Sequence, residues 1–207
     1  MENEKEIIDE LQTLFGNEVL DVTPFPKPYY KDISNVNAIY LGCDPSNQHS
    51  HNLPYAFALE SNMKIFNNFL NTHSSNLFQV DLNWKSVYVQ NLCQNYFRKE
   101  TFKNLPIWKP ATKLWIPRLK KELQIFNIDI PVFLTSSYIY DLLVSSKWKK
   151  YKPKQFYTCE IEIPIPETEN LLERPLIPFF RNRRKVDYHL SNPMWQNYKN
   201  RIREILN

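Results

Sequence analysis

The sequence predicts an α/β fold: a three-layer α/β/α sandwich around a central, mostly parallel four-stranded sheet. Three observations lead there. Short apolar runs recur at 38–41, 87–93 and 131–135, each of strand length and too short for a helix. Between them lie longer segments with apolar residues at helical spacing. The first two runs also lead into a polar residue, Asp44 and Asn91, where strand ends of an open α/β sheet face the ligand crevice. The 207 residues suffice for a substantial core and are read as one domain, 1–207.

In order, Glu2 to Phe15 is an amphipathic helix, with Ile7, Ile8, Leu11, Leu14 and Phe15 on one face and Gly16 at the C-cap. Thr23 to Tyr30 is proline-rich, hence an extended loop. Ala38-Ile39-Tyr40-Leu41 is the opening strand, and it breaks at Gly42, one of only two glycines. Having no side chain, Gly42 lets a ligand approach the backbone, and Asp44 and Pro45 follow at once. Gly-Cys-Asp-Pro on its own is also an ordinary strand-ending turn.

Ser61 to Leu70 reads as a helix, with Ser61 as N-cap and Met63, Phe66, Phe69 and Leu70 as its stripe. Val87 to Cys93 is the second strand. Trp108 to Gln124 is helical; Pro110 suits its first turn, and Pro117 should kink or divide it. Pro131 to Thr135 is the third strand, followed by a short helix at Tyr138 to Val144. Phe156 to Ile163 alternates and carries Ile, Tyr and Thr, so it is the predicted fourth strand. Pro164, Pro166 and Pro175 mark loops. Pro193 to Leu206 is the last helix, with Trp195, Tyr198, Ile202 and Ile205 on one face.

Composition narrows the function. No apolar run is long enough to span a bilayer, and the acidic N-terminus lacks a signal-peptide core, so a cytoplasmic protein without membrane association is expected. Cys43, Cys93 and Cys159 are far apart and form no CxxC pair, which disfavours zinc and iron–sulfur sites. His49 and His51 share a polar loop with no further Cys or acid at suitable spacing, so they are read as solvated side chains rather than metal ligands. Two glycines cannot build a GxGxxG or Walker loop, so a nucleotide-cofactor enzyme is disfavoured. The net charge is +4, and Arg181, Arg183, Arg184, Lys185, Lys199, Arg201 and Arg203 crowd the C-terminal part. That crowding suits either a polyanion or a solvated helix face.

These segments, in this order, resemble the uracil-DNA glycosylase superfamily. Its first motif is a strand ending Gly-Gln-Asp-Pro-Tyr-His, then a loop and Gly-Leu-Ala-Phe-Ser. The chain has Gly42-Cys43-Asp44-Pro45-Ser46-Asn47 and then Tyr55-Ala56-Phe57-Ala58-Leu59. The family's next strand ends on asparagine; the chain has Val89-Gln90-Asn91. Leu82-Asn83-Trp84, the Trp108 helix and Val132 to Ser136 also fit, so the likeness covers roughly 36–206.

The resemblance implies a DNA-repair hydrolase that flips a base out of the duplex or single strand and cleaves its N-glycosidic bond. Asp44 would be catalytic, placing a water against the sugar C1′ and stabilising the oxocarbenium-like sugar. Gly42, Cys43, Ser46, Phe57 and Asn91 would bind the base. Phe57 stacks on it, Asn91 reads the O4 and N3–H edge, and backbone amides around Cys43 hold O2. The partner is DNA, the protein a monomer, and neither metal nor cofactor is needed.

Three departures stand out. The family tyrosine that excludes thymine's methyl is Ser46, and the next histidine is Asn47. In place of the last motif, His-Pro-Ser-Pro-Leu-Ser, the chain has Ile177-Pro178-Phe179-Phe180-Arg181-Asn182. The leaving-base histidine is thus absent, with His189 as a candidate substitute. Arg181 falls where the family inserts its wedge, and Pro178, Phe179, Arg183, Arg184 and Lys185 complete the expected DNA contacts. The alternative is a weak or inactive nucleic-acid-binding module on the same fold. A small-molecule α/β hydrolase is a third reading, without a GxSxG elbow to support it.

Overall fold

A computed structural model describes residues 4–45, 53–59, 85–179 and 196–207. The helix predicted at Ser61 to Leu70 lies outside them, as does the Leu82-Asn83-Trp84 run. Helix α1 is Glu4–Phe15, and it buries Ile7, Ile8 and Leu11. It ends on Gly16, whose φ of 58° is the left-handed conformation that glycine takes freely at a helix end.

Strand β1 is Ala38–Gly42 and β2 is Val87–Asn91; every residue of both is buried. Burial on both faces is what a continuous apolar run demands of a parallel strand. Helix α2 is Leu105–Leu123, strand β3 Val132–Leu134 and helix α3 Ser137–Leu143. Helix α4 is Pro153–Tyr157, strand β4 Leu176–Pro178 and helix α5 Gln196–Leu206. The four strands run in the order β2-β1-β3-β4, all parallel, with helices packed about them in an α/β/α arrangement. The expected fold class is therefore the observed one. Among the described residues no helix is long and apolar enough to cross a membrane.

Two expectations fail in instructive ways. The fourth strand is not Phe156 to Ile163. Pro153 starts a helix there, and the Gln155 side chain accepts a hydrogen bond from the Lys152 backbone N–H at 2.9 Å. Phe156 and Tyr157 are adjacent yet both buried, which alternation in a strand facing water would forbid. The fourth strand lies instead in a stretch whose prolines read as loop. Val132 N–H donates to the Pro175 carbonyl at 2.9 Å, and Phe179 N–H to that of Leu134 at 2.9 Å. Pro178 is tolerated because β4 ends the order of paired strands, where a missing donor breaks no inner ladder.

The second concerns α2, which continues through both Pro110 and Pro117. Pro106, not Pro110, occupies its first turn. The two inner prolines are seven residues apart on the exposed side, so the carbonyls they leave unpaired face water. The opposite side buries Trp108, Ala111, Thr112, Trp115, Ile116, Leu119 and Leu123. Burying each large side chain contributes about 1.5–3 kcal/mol, so the stripe offsets two prolines at roughly 3 kcal/mol each. Arg174 closes the far end. It is 3% exposed and donates to the carbonyls of Asn127 at 2.6 Å, Leu123 at 2.5 Å and Phe126 at 3.0 Å.

The proline-rich segment does more than connect. Tyr29 exchanges backbone hydrogen bonds with Val89 at 2.8 and 2.9 Å, along the side of β2 away from β1. Lys27 bridges to the 53–59 segment, donating to the Pro54 carbonyl at 3.1 Å and accepting from Ala56 N–H at 2.8 Å. This places the Phe57 turn over the strand tips.

Candidate active site

The parallel register sets Gly42 opposite Asn91 and Leu41 opposite Leu134, so the ends of β1, β2 and β3 are level. The tips are tied beyond the strands as well. Leu92 N–H donates to the Gly42 carbonyl at 2.8 Å and Cys93 N–H to that of Cys43 at 2.9 Å. Thr135 donates to the Leu41 carbonyl through its N–H at 3.2 Å and its hydroxyl at 2.9 Å.

Gly42 is the pivot. A methyl group there would meet the Phe57 ring at 2.3 and 2.8 Å and the Asn91 amide oxygen at 2.5 Å. The close approach that its bareness permits is thus made by two of the chain's own side chains, not by a ligand. Phe57 reaches the spot from a short turn, Ala56–Ala58, in which Phe57 and Ala58 have φ of 60° and 53°. Left-handed backbone costs a non-glycine residue roughly 1–2 kcal/mol. The cost is borne by neighbouring ties: Leu53 N–H to the Tyr96 hydroxyl at 2.7 Å, the Lys27 bridge, and the Tyr29 and Tyr55 rings edge to face at 5.7 Å.

Asn91 is 3% exposed. Its backbone N–H donates to the Gln90 side-chain oxygen at 2.9 Å. The Gln90 amide in turn donates to Glu122 of α2 at 2.8 Å, as does Gln94 at 2.8 Å, and the Tyr88 hydroxyl bonds the same carboxylate. Among the described residues nothing hydrogen-bonds the Asn91 side-chain amide.

Asp44 stands two residues past Gly42. Its carboxylate accepts a hydrogen bond from the Thr101 hydroxyl. Burial pushes its pKa up to about 7, and the charge of Glu100 pushes the same way; the Thr101 bond opposes both. Cys43 is driven up to about 12, chiefly by burial, so its thiol keeps its proton and is no nucleophile. The Ser136 and Thr101 hydroxyls oppose that rise.

Gly42, Cys43, Asp44, Phe57 and Asn91 therefore gather at one end of the sheet. Pro178 and Phe179 do not belong with them as DNA contacts. Both are buried, and the Phe179 ring packs on Tyr40 and Phe133 at 5.9 and 5.5 Å. The Pro178 carbonyl accepts from the buried Tyr198 hydroxyl of α5. Of the basic stretch, Lys199 is buried, and Arg201 binds Glu204 at 3.0 Å and the Ile163 carbonyl at 3.1 Å. Lys199 and Arg201 thus serve the fold. Ser46, Asn47, His49, His51, Arg181, Arg183, Arg184, Lys185 and His189 lie outside the described residues. Among the described residues no three His, Cys, Asp or Glu converge as a metal site.

Thr101, Glu100 and Ser136 escape sequence reasoning as site residues. Thr101 is 57 positions from Asp44, and nothing in Glu-Thr-Phe-Lys announces a partner. No protein-family model matches the chain, and no curated protein matches it.

Proposed function

We propose that the chain is a divergent uracil-DNA glycosylase that hydrolyses the N-glycosidic bond of uracil, or a related damaged base, flipped out of DNA. One observation carries this reading: the Phe57 ring and the Asn91 amide converge on the bare Cα of Gly42, two residues from Asp44. An aromatic face and a side-chain amide suit a planar base with its own donor–acceptor edge. A carboxylate on the same tip suits the sugar end of the bond.

In the reaction, water oxygen bonds to C1′ as the C1′–N bond breaks and its electron pair leaves with the base. Asp44 accepts the water's proton, and its charge offsets the cation developing on the sugar. This role requires the ionised carboxylate. Activity therefore rises with pH through about 7, the value to which burial pushes Asp44.

The test is a single-uracil oligonucleotide, single- and double-stranded, incubated with the protein and then treated with alkali. Strand cleavage that disappears in Asp44→Asn is expected. No cleavage by the wild type, or equal cleavage by the variant, overturns the enzymatic reading. Salt-sensitive DNA binding without base release would then favour the binding-module alternative.

A further inference from the structure

We propose that Thr101 is the positioning residue of this site: its hydroxyl, fixed by the one-turn helix that precedes α2, aims the Asp44 carboxylate and keeps it available as a proton acceptor. The proposal rests on the reading of Asp44 as the group that takes the water's proton, and it adds a residue that no motif contains.

The geometry is specific. Thr101–Lys103 form a single 3-10 turn. Lys103 N–H donates to the Glu100 carbonyl at 2.9 Å and Asn104 N–H to that of Thr101 at 3.0 Å. Asn104 then receives Ile107 and Trp108 N–H at 3.0 and 2.9 Å, which locks the turn to the start of α2. Trp108 is fully buried, so the turn is anchored from within. Upstream, Arg98 N–H donates to the Glu18 carbonyl at 2.9 Å, and Val19 bridges Phe97. The Thr101 hydroxyl is thereby held from both sides and delivered to Asp44.

Its chemistry is as definite. A hydroxyl that donates to a carboxylate stabilises the ionised form. Among the described residues the other groups near Asp44 do not favour that form: Glu100 carries like charge, and the Cys43 and Cys93 thiols are protonated and supply no positive charge. Among the described residues no cation acts on Asp44. Without Thr101 the carboxyl would hold its proton at neutral pH and could not take another. The β-branched side chain has few rotamers, so the donor direction is fixed at small entropic cost.

The decisive measurement follows the Asp44 carboxyl carbon by NMR across pH in labelled protein, with Asp44→Asn giving the assignment. Thr101→Val keeps the shape and removes the donor. The Asp44 midpoint should rise by about one pH unit or more, and Thr101→Ser should restore it. A midpoint unchanged in Thr101→Val, or Thr101→Ser behaving like Thr101→Val, overturns the proposal. Should the valine variant not fold, the wild type still decides. In mixed H₂O/D₂O the Asp44 signal should carry an isotope shift from the bonded hydroxyl, and a single unshifted line overturns the assignment. None of these readouts needs base excision, so they stand apart from the glycosylase test. If the protein does remove uracil, the midpoint of its pH–rate profile should move with the NMR midpoint.

Discussion

Gly42 shows how much one missing side chain can decide. Its neighbours fill the space that a Cβ would take, so Gly42→Ala must displace the Phe57 ring, the Asn91 amide, or both. Overpacking of this kind costs about 1–3 kcal/mol. The expected result is a modest fall in denaturant midpoint with a larger fall in base release, since the displaced groups are those that would hold the base. Full activity in Gly42→Ala would show that the ring and the amide are not used together. Asp44 makes a second residue-scale prediction. Its proton is held more tightly in the folded than in the unfolded chain, because burial raises its pKa from 3.8 to about 7. Its contribution to stability is thus fully present below about pH 4 and is lost as pH rises to about 7. Asp44→Asn removes that dependence. The variant should gain on the wild type between pH 4 and 7, by up to ~4 kcal/mol, and hold the gain above. Urea unfolding at several pH values measures this. Gly42, Asp44 and Asn91 were legible in the sequence because each marks a strand end. Thr101 was not, because a hydrogen bond across 57 positions leaves no local pattern.

At the scale of elements, α2 and β4 depend on each other through Arg174. Its guanidinium satisfies three carbonyls at and just past the C-terminal end of α2, and it sits two residues before β4 begins. Arg174→Met retains apolar bulk but leaves those carbonyls bare. Hydrogen bonds to a charged group contribute about 1.5–3 kcal/mol, so a loss on the order of 3 kcal/mol is expected. For a chain of this size that lowers Tm by about 6–12 °C, readable by calorimetry. A Tm within a degree of the wild type would show the carbonyls to be satisfied without Arg174. The same two elements explain where local reasoning misled. Proline is a reliable breaker only where the freed carbonyl is buried; in α2 it faces water, and in β4 the strand ends the sheet. Conversely, the β-branched content of 156–163 suggested a strand, but Pro153 starts a helix there and the Trp148, Tyr151 and Phe156 rings pack around it. Packing outweighed propensity in each case.

For the whole molecule, the layered α/β architecture was legible because three of its four strands are continuous apolar runs bounded by polar tips. The register that brings Gly42 level with Asn91 was not legible, since pairing depends on which strand lies beside which. The order β2-β1-β3-β4 also makes β2 an outermost strand of the set, with one flank unclaimed by any other strand among the described residues. Tyr29 claims that flank, from a stretch that includes Pro24, Pro26 and Pro28. An imino acid has no amide hydrogen to offer a newcomer. The rim of the sheet therefore ends on a border poor in free donors, to which a second copy of the chain gains little by adding a strand. The prolines that make this stretch look like mere connection thus double as a built-in guard against fibrous self-association.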